Sequence, residues 1–235
     1  MSPFDGVAPT ARYVKMTLYP VFLELQGRQC VVVGGGKVAA RKARALQAAG
    51  AQVHVIAPQL DAALETLAGV TCHRQAYQAS VLEGACVVIA CTDNATVNDR
   101  VYEDCRAKGI WCNVVDDPRR CDFHVPAVVH RGRLQIAVST GAASPSLAGT
   151  IRRGLAEQFG PEFEQWLEAL WQARQEALHH IGDPALRRAV LQILGGDESL
   201  ERFRQSGMDA WRNWCAEQLA AERSADGATD PPADP

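Results

Sequence analysis

Short apolar runs alternate with helix-length segments along the first half of the chain. Cys30-Val-Val-Val33 is a β-branched run that breaks into Gly34-Gly35-Gly36. An alanine-rich segment, Lys37 to Ala49, follows and stops at Gly50, a natural residue to end a helix. Gln52 to Ala57 reads as a strand ended by Pro58, Asp61 to Leu67 as a helix and Val70 to Ala76 as a strand. Gly84 to Cys91 is a continuous apolar strand, Ala95 to Lys108 a helix stopped by Gly109, and Ile110 to Val115 the next strand. Upstream, Tyr19 to Leu25 alternates and predicts a short strand that turns at Gln26-Gly27 into the buried strand Gln29 to Val33. Strands and helices alternating at this spacing predict an α/β fold with a Rossmann-type, doubly wound parallel sheet.

The grammar changes after Asp116-Asp117-Pro118. Phe123 to Val129 and Leu134 to Val138, joined by His130-Arg-Gly-Arg133, read as an antiparallel hairpin. Ser144-Pro145 is an N-cap with proline at the first helical position, opening a helix to about Phe159. From Glu162 onward the pattern is helical, with a break at Gly182-Asp183-Pro184 and two or three shorter helices to about Arg223. Phe163, Trp166, Leu167, Leu170, Trp171, Leu178 and Ile181 recur at helical spacing, so this face is expected in a core or subunit interface. The predicted organisation is a dinucleotide-binding domain over 1–116, an antiparallel element over 117–145, an all-helical C-terminal region over 146–223 and a disordered tail over 224–235.

Composition narrows the partners. A net charge of -3 with 22% charged residues offers no basic field for nucleic acid. The first ten residues lack a basic region followed by an apolar core, and no apolar run is long enough to span a bilayer, so a cytoplasmic protein is expected. The eight cysteines include no C-x-x-C pair and read as buried free thiols, and the histidines have no metal-ligand spacing.

The glycine run carries the first chemistry. Gly34 can make the tight turn, Gly36 lets backbone approach a pyrophosphate, and Ala39 lets the helix pack closely; Lys37 and Val38 open that helix, where free N–H groups attract phosphate. A carboxylate for ribose hydroxyls would stand about twenty residues further on. Ile56-Ala57-Pro58 supplies neither that carboxylate nor an arginine for a 2′-phosphate. Thr92, Asp93 and Asn94 end a later strand, where they can hydrogen-bond a cofactor, cap the following helix, or both. Asp116 ends the next strand and is the candidate acid/base, with partial burial raising its pKa toward the useful range; the alternative is that Asp116 or Asp117 merely starts the turn before Pro118. Arg119, Arg120, Arg131, Arg133, Arg152 and Arg153 follow, either as a solvated face or as the lining of a cleft for a carboxylate-rich substrate. His124 is close to Asp116 in sequence.

Six segments in order resemble the precorrin-2 dehydrogenases, which also form the N-terminal module of siroheme synthases. They are Tyr19-Pro-Val-Phe-Leu-Glu-Leu25, Val31-Val-Val-Gly34-Gly-Gly36-Lys-Val-Ala39, Ala90-Cys-Thr-Asp93-Asn94, Cys112-Asn-Val-Val-Asp116, Phe123-His-Val-Pro126-Ala127 and Ser139-Thr-Gly141-Ala-Ala-Ser144-Pro145. The resemblance implies NAD-dependent oxidation of precorrin-2, an octacarboxylate, to sirohydrochlorin, and a homodimer formed through the middle region. It also implies a catalytic role for Asp116, and some members insert ferrous iron at the same site. Asn113, Arg119, Arg120, His124, Thr140 and Ser144 are the candidate substrate contacts. A nucleotide-sensing regulatory module is the reading from a different class.

Overall fold

The computed structural model describes residues 18–226; the predicted tail beyond Asp226 lies outside them. The chain divides into two compact units, Met1–Val125 and Pro126–Pro235.

The first unit is a parallel sheet of β1 (Gln29–Val33), β2 (Gln52–Ala57), β3 (Val70–Arg74), β4 (Val87–Ala90) and β5 (Trp111–Val114) in the order β3-β2-β1-β4-β5. The crossovers carry α1 (Lys37–Ala48), α2 (Ala62–Glu65) and α3 (Ala95–Lys108). Strand order reverses between β1 and β4, so the ligand crevice of such a sheet lies beyond the carboxyl ends of these two strands. Both faces are covered, which is why the strands read as unbroken apolar runs. Cys30, Val32, Val53, Val55, Val87 and Ile89 pack against Ala39, Ala40, Ala43 and Leu46 of α1. Val31, Val33, Ile56, Val88 and Val114 pack with Val101 and Cys105 of α3 on the other face. Gly109 closes α3 with a φ of 67°, a left-handed conformation that glycine adopts without a Cβ penalty.

The predicted strand Tyr19–Leu25 does not form: the segment joins no sheet, and of its side chains Leu25 alone is buried. Pro20 has no N–H to offer a ladder. The segment is tied down instead by the Gly27 and Arg28 amides, which donate to Gly50 and Leu25.

In the second unit β6 (Ala127–Arg131) and β7 (Leu134–Val138) form the expected antiparallel pair, with Arg131 opposite Leu134, so the loop is Gly132-Arg133 alone. β6 starts later than predicted because Phe123 is held in the first unit, where its carbonyl accepts from Asn113. The helices are α4 (Pro145–Gln158), α5 (Glu162–His180), α6 (Pro184–Leu194) and α7 (Asp197–Asp226), the last kinked at Gly207 with φ 79° and ψ −177°. Ser144 caps α4 and Pro145 occupies its first turn, as the sequence predicts. The buried stripe of α5 differs from the prediction. Phe163, Trp166 and Ile181 are buried, but between them run Ala169, Ala173 and Ala177, while Trp171 and Leu178 are exposed. The small alanines let Trp211 and Trp214 of α7 fill the interior, and Arg133 covers Trp171 with its guanidinium 4.2 Å from the ring centre.

His54 and His73, on adjacent strands, stack with Nδ1 and Nε2 3.1 Å apart. Burial, reinforced by His73, pushes His54 below the ordinary histidine value. The unfolded chain then binds protons that the folded chain resists, so stability is lost as pH falls below about 6.5. We expect His54→Gln to flatten the decline in Tm between about pH 6.5 and pH 5 in thermal melts; identical declines in both proteins contradict this linkage.

Candidate functional site

The turn after β1 is built around absent side chains. Gly34 has a φ of 138°, and a Cβ on it would stand 2.7 Å from the Cys91 carbonyl oxygen at the end of β4. A Cβ on Gly35 would land on the Gln59 carbonyl oxygen, so Gly35, which sequence reasoning left without a role, is the most tightly enclosed of the three. Gly36 is different, because a Cβ there would meet nothing within 4 Å. Its missing side chain faces open space, which is the space a ligand's phosphates need. α1 begins at this point with no side chain capping it and no carboxylate in its first turn. By contrast, α2, α3, α4 and α6 are capped by Asp61, Asn94, Ser144 and Asp183. The N–H groups around Lys37 and Val38 therefore remain open to an anion. This cradle fits the pyrophosphate of a dinucleotide.

At the end of β4, Thr92 and Asn94 are engaged with the protein itself. Thr92 Oγ1 donates to Asn98 Oδ1 at 2.7 Å, and Asn98 Nδ2 returns a bond to the Thr92 carbonyl at 3.0 Å. Asn94 Oδ1 accepts from the Val97 amide, so the capping role is real. Asp93 is exposed and makes no hydrogen bond or ion pair among the described residues. Asn98, which clamps this turn, was not legible as a site residue because its partner Thr92 also reads as a simple cap.

Beyond β5 the chain doubles back. The Asp117 amide donates to the Val114 carbonyl at 3.2 Å, and Asp116 sits at the third position of that turn with a φ of 65°. Glycine or asparagine usually takes this place, and an aspartate here costs on the order of 1 kcal/mol. The half-burial expected for Asp116 is absent, since the residue is exposed. Its distinction is a strained backbone conformation within a braced loop. The bracing comes from Asn113, which is buried and donates through Nδ2 to the Phe123 carbonyl at 2.8 Å and to Cys121 Sγ. Asp122 Oδ2 accepts from the Cys112 amide at 2.9 Å, and Arg120 is ion-paired with both Asp99 and Asp117. Asn113 and Arg120, expected as substrate contacts, are thus engaged in holding the loop. Arg119 is exposed without such a bond, and the buried Nε2 of His124 has no partner among the described residues.

Several of the arginines expected to line a cleft are engaged locally. In the second unit Arg131 donates to the Phe159 and Ala156 carbonyls at the end of α4, Arg133 pairs with Glu168, and Arg153 bonds Thr150. Thr140 Oγ1 accepts from the Ser144 amide and donates to its carbonyl, within a loop where Gly141 and Ala142 have φ values of 58° and 64°. Among the described residues no group of three or more His, Cys, Asp or Glu is placed to hold a metal ion. One cation that sequence reasoning missed does belong to the first unit's site. Lys42 of α1 is half-buried at helical spacing from buried Ala39, Ala43 and Leu46, and burial lowers its pKa while Cys91, Asp116 and Cys121 act the other way.

This topology, with a glycine turn and an open helix terminus at the sheet's switch point, defines a nicotinamide-dinucleotide-binding protein of the Rossmann class. Residues 21–127 match the family described as "Putative NAD(P)-binding". A siroheme synthase of Nitrosococcus oceani is 43% identical over 143 residues, covering 60% of this chain and 31% of that protein. Siroheme synthase 3 of Aeromonas hydrophila is 33% identical over 215 residues, covering 90% of this chain and 46% of its own length. The solved structure of SirC, precorrin-2 dehydrogenase, matches with a TM-score of 0.70 at 25% identity, over 87% of this chain and 100% of that one. The chain is thus similar to siroheme synthases and to a precorrin-2 dehydrogenase over these spans. It spans less than half the length of the curated siroheme synthases it matches.

The glycines separate folding from binding. Gly35→Ala is expected to lower Tm by several degrees, because rigid backbone at Gln59 must move. Gly36→Ala should leave Tm within about a degree of the parent and weaken NAD binding about tenfold or more by filling the phosphate's place. Thermal melts and titration calorimetry check the pair; equal effects of both substitutions on binding and stability contradict the assignment.

Proposed function

We propose that this chain oxidises precorrin-2 to sirohydrochlorin with NAD, with Asp116 as the catalytic base. The observation that carries the reading is the strained, braced turn that holds Asp116 beyond β5, beside the strand whose end meets the glycine turn. Strain of this kind persists where the surrounding structure over-determines it, as at working sites. When bound, the dinucleotide supplies a hydride acceptor. Gly34, Gly36, Lys37 and Val38 hold its pyrophosphate, with Thr92, Asp93 and Asn94 along the remainder. The substrate must lose one hydride and one proton, and Asp116 takes the proton. The preference for NAD over NADP is supported at the end of β2. The cation placed there in register with Ala57 is Arg74, and it is ion-paired with Glu65 rather than free for a 2′-phosphate.

Arg119 and His124 are the proposed substrate contacts of the first unit, with Asn113 and Arg120 as positioning residues for the Asp116 loop. Thr140 and Ser144 are proposed as further contacts on the strength of the motif that carries them. Homodimerisation is supported within the second unit. Its two-stranded sheet is marginal alone, and Val128 of β6 with Leu147 and Ile151 of α4 leave apolar surface exposed. A cytoplasmic location is supported by eight free cysteines. The division into 1–116, 117–145 and 146–223 is proposed as the functional organisation, binding, dimerising and helical in turn. Insertion of ferrous iron as a second substrate is the second reading, favoured by the name siroheme synthase that the relatives carry.

Asparagine tolerates the left-handed turn, so Asp116→Asn isolates the proton transfer. It is expected to keep Tm within about two degrees and NAD affinity unchanged, and to lose about a hundredfold or more in the rate of NADH appearance with precorrin-2. A variant that turns over at the parent rate overturns the role of Asp116. Absence of turnover in the parent chain overturns the dehydrogenase reading.

A further inference from the structure

Burying a cation without a partner is costly, and proteins rarely do it away from a ligand. Lys42 is a half-buried cation in that position. It lies in the apolar stripe of α1 with Ala39, Ala43 and Leu46, between residues that pack on β1, β2 and β4. Helical side chains lean toward the helix N-terminus, which directs its stem toward the glycine turn. Its ammonium makes no hydrogen bond and no ion pair among the described residues. Burial, with some help from Arg41, pushes its pKa down, while Cys91, Asp116 and Cys121 act weakly the other way. The two thiols are themselves raised, chiefly by burial, Cys91 to about 11, so they stay neutral and do not serve as counter-ions.

The charge balance of the site makes this lysine matter. Carboxylate recognition in the first unit cannot rest on Arg120, which is shared between Asp99 and Asp117. Arg119, in the loop's short helical turn, is exposed. Lys42 is a half-buried cation on whose charge Asp116 acts.

We propose that Lys42 is a substrate-binding residue whose ammonium takes one carboxylate of the tetrapyrrole held against Asp116. The assignment rests on the functional reading above and deepens it. An acetate or propionate arm seated on Lys42 gives the ammonium the partner it lacks among the described residues and fixes the macrocycle's position relative to the Asp116 carboxylate. Specificity for a carboxylated ring follows, because a neutral side chain in that place leaves the ammonium unpaired.

The test uses sirohydrochlorin, the product, so that binding is read without turnover. Its Kd and that of NAD are measured by absorbance titration for the parent chain, Lys42→Met and Lys42→Arg. Methionine continues the apolar stripe, and circular dichroism with NAD affinity reports the fold. The expected result is a tenfold or greater weakening of sirohydrochlorin binding in Lys42→Met, largely recovered in Lys42→Arg, with NAD binding within twofold of the parent. Unchanged sirohydrochlorin affinity in Lys42→Met overturns the assignment, as does an equal loss of NAD affinity, which would make Lys42 a cofactor residue. A parent chain that binds no sirohydrochlorin overturns the tetrapyrrole reading itself, a result distinct from either. If Lys42→Met does not fold, the comparison passes to Lys42→Gln against Lys42→Arg, with the same outcomes.

Discussion

The close approach of backbone to backbone where β1 ends is the constraint on which the first unit depends. Carbonyl oxygens of Cys91 and Gln59 stand where side chains of residues 34 and 35 would be. The Gly34 amide can then continue the ladder to Ile56, and the Gly35 carbonyl accepts from Asp61 at 2.7 Å. The chain leaves the sheet steeply enough for α1 to start at once, uncapped, over the crevice between β1 and β4. Any Cβ at these positions would push the helix off its strand and close the opening toward which its free N–H groups point. Packing and ligand binding are therefore set by the same three residues, although the structure divides the tasks among them.

A second brace completes the site. The return of residues 117–123 along β5 occupies what would otherwise be an unpaired sheet edge, through the Asn113–Cys121 bridge and the Asp122–Cys112 pair. Edge protection and the presentation of Asp116 have one cause. The loop is braced because its polar side chains bond inward, and the Asp116 carboxylate is left without a hydrogen bond or ion pair among the described residues. Charges nearby follow the same economy. Arg120 stabilises the loop, and Lys42, which has no hydrogen bond or ion pair among the described residues, is left over for chemistry.

Much of this was legible in the residues. The buried parallel strands appear as continuous runs such as Val87–Ala90 because apolar side chains are needed on both faces. Ser144-Pro145 announces a helix start through local capping chemistry that no tertiary contact overrides. Other features depend on neighbours that only folding supplies. Tyr19–Leu25 alternates as a strand does, yet no strand lies beside it, and Pro20 cannot pair. Alanines in α5 carry little signal against Trp171 and Leu178, but the packing of α7 selects the small residues for the interior. The arginines after Asp116 look free in sequence and are mostly tied to carboxylates or carbonyls. Lys42 looks like an ordinary solvated lysine until its place on the buried stripe is seen, and Gly35 looks redundant until Gln59 is placed against it.

The most direct measurement is a crystal structure of the protein soaked with NAD. The pyrophosphate should lie on the N–H groups at the start of α1, against Gly36, with the nicotinamide extending past Cys91 toward the Asp116 carboxylate. A crevice that stays empty at saturating NAD, or a dinucleotide bound with its nicotinamide at the β3 edge of the sheet, contradicts the assignment.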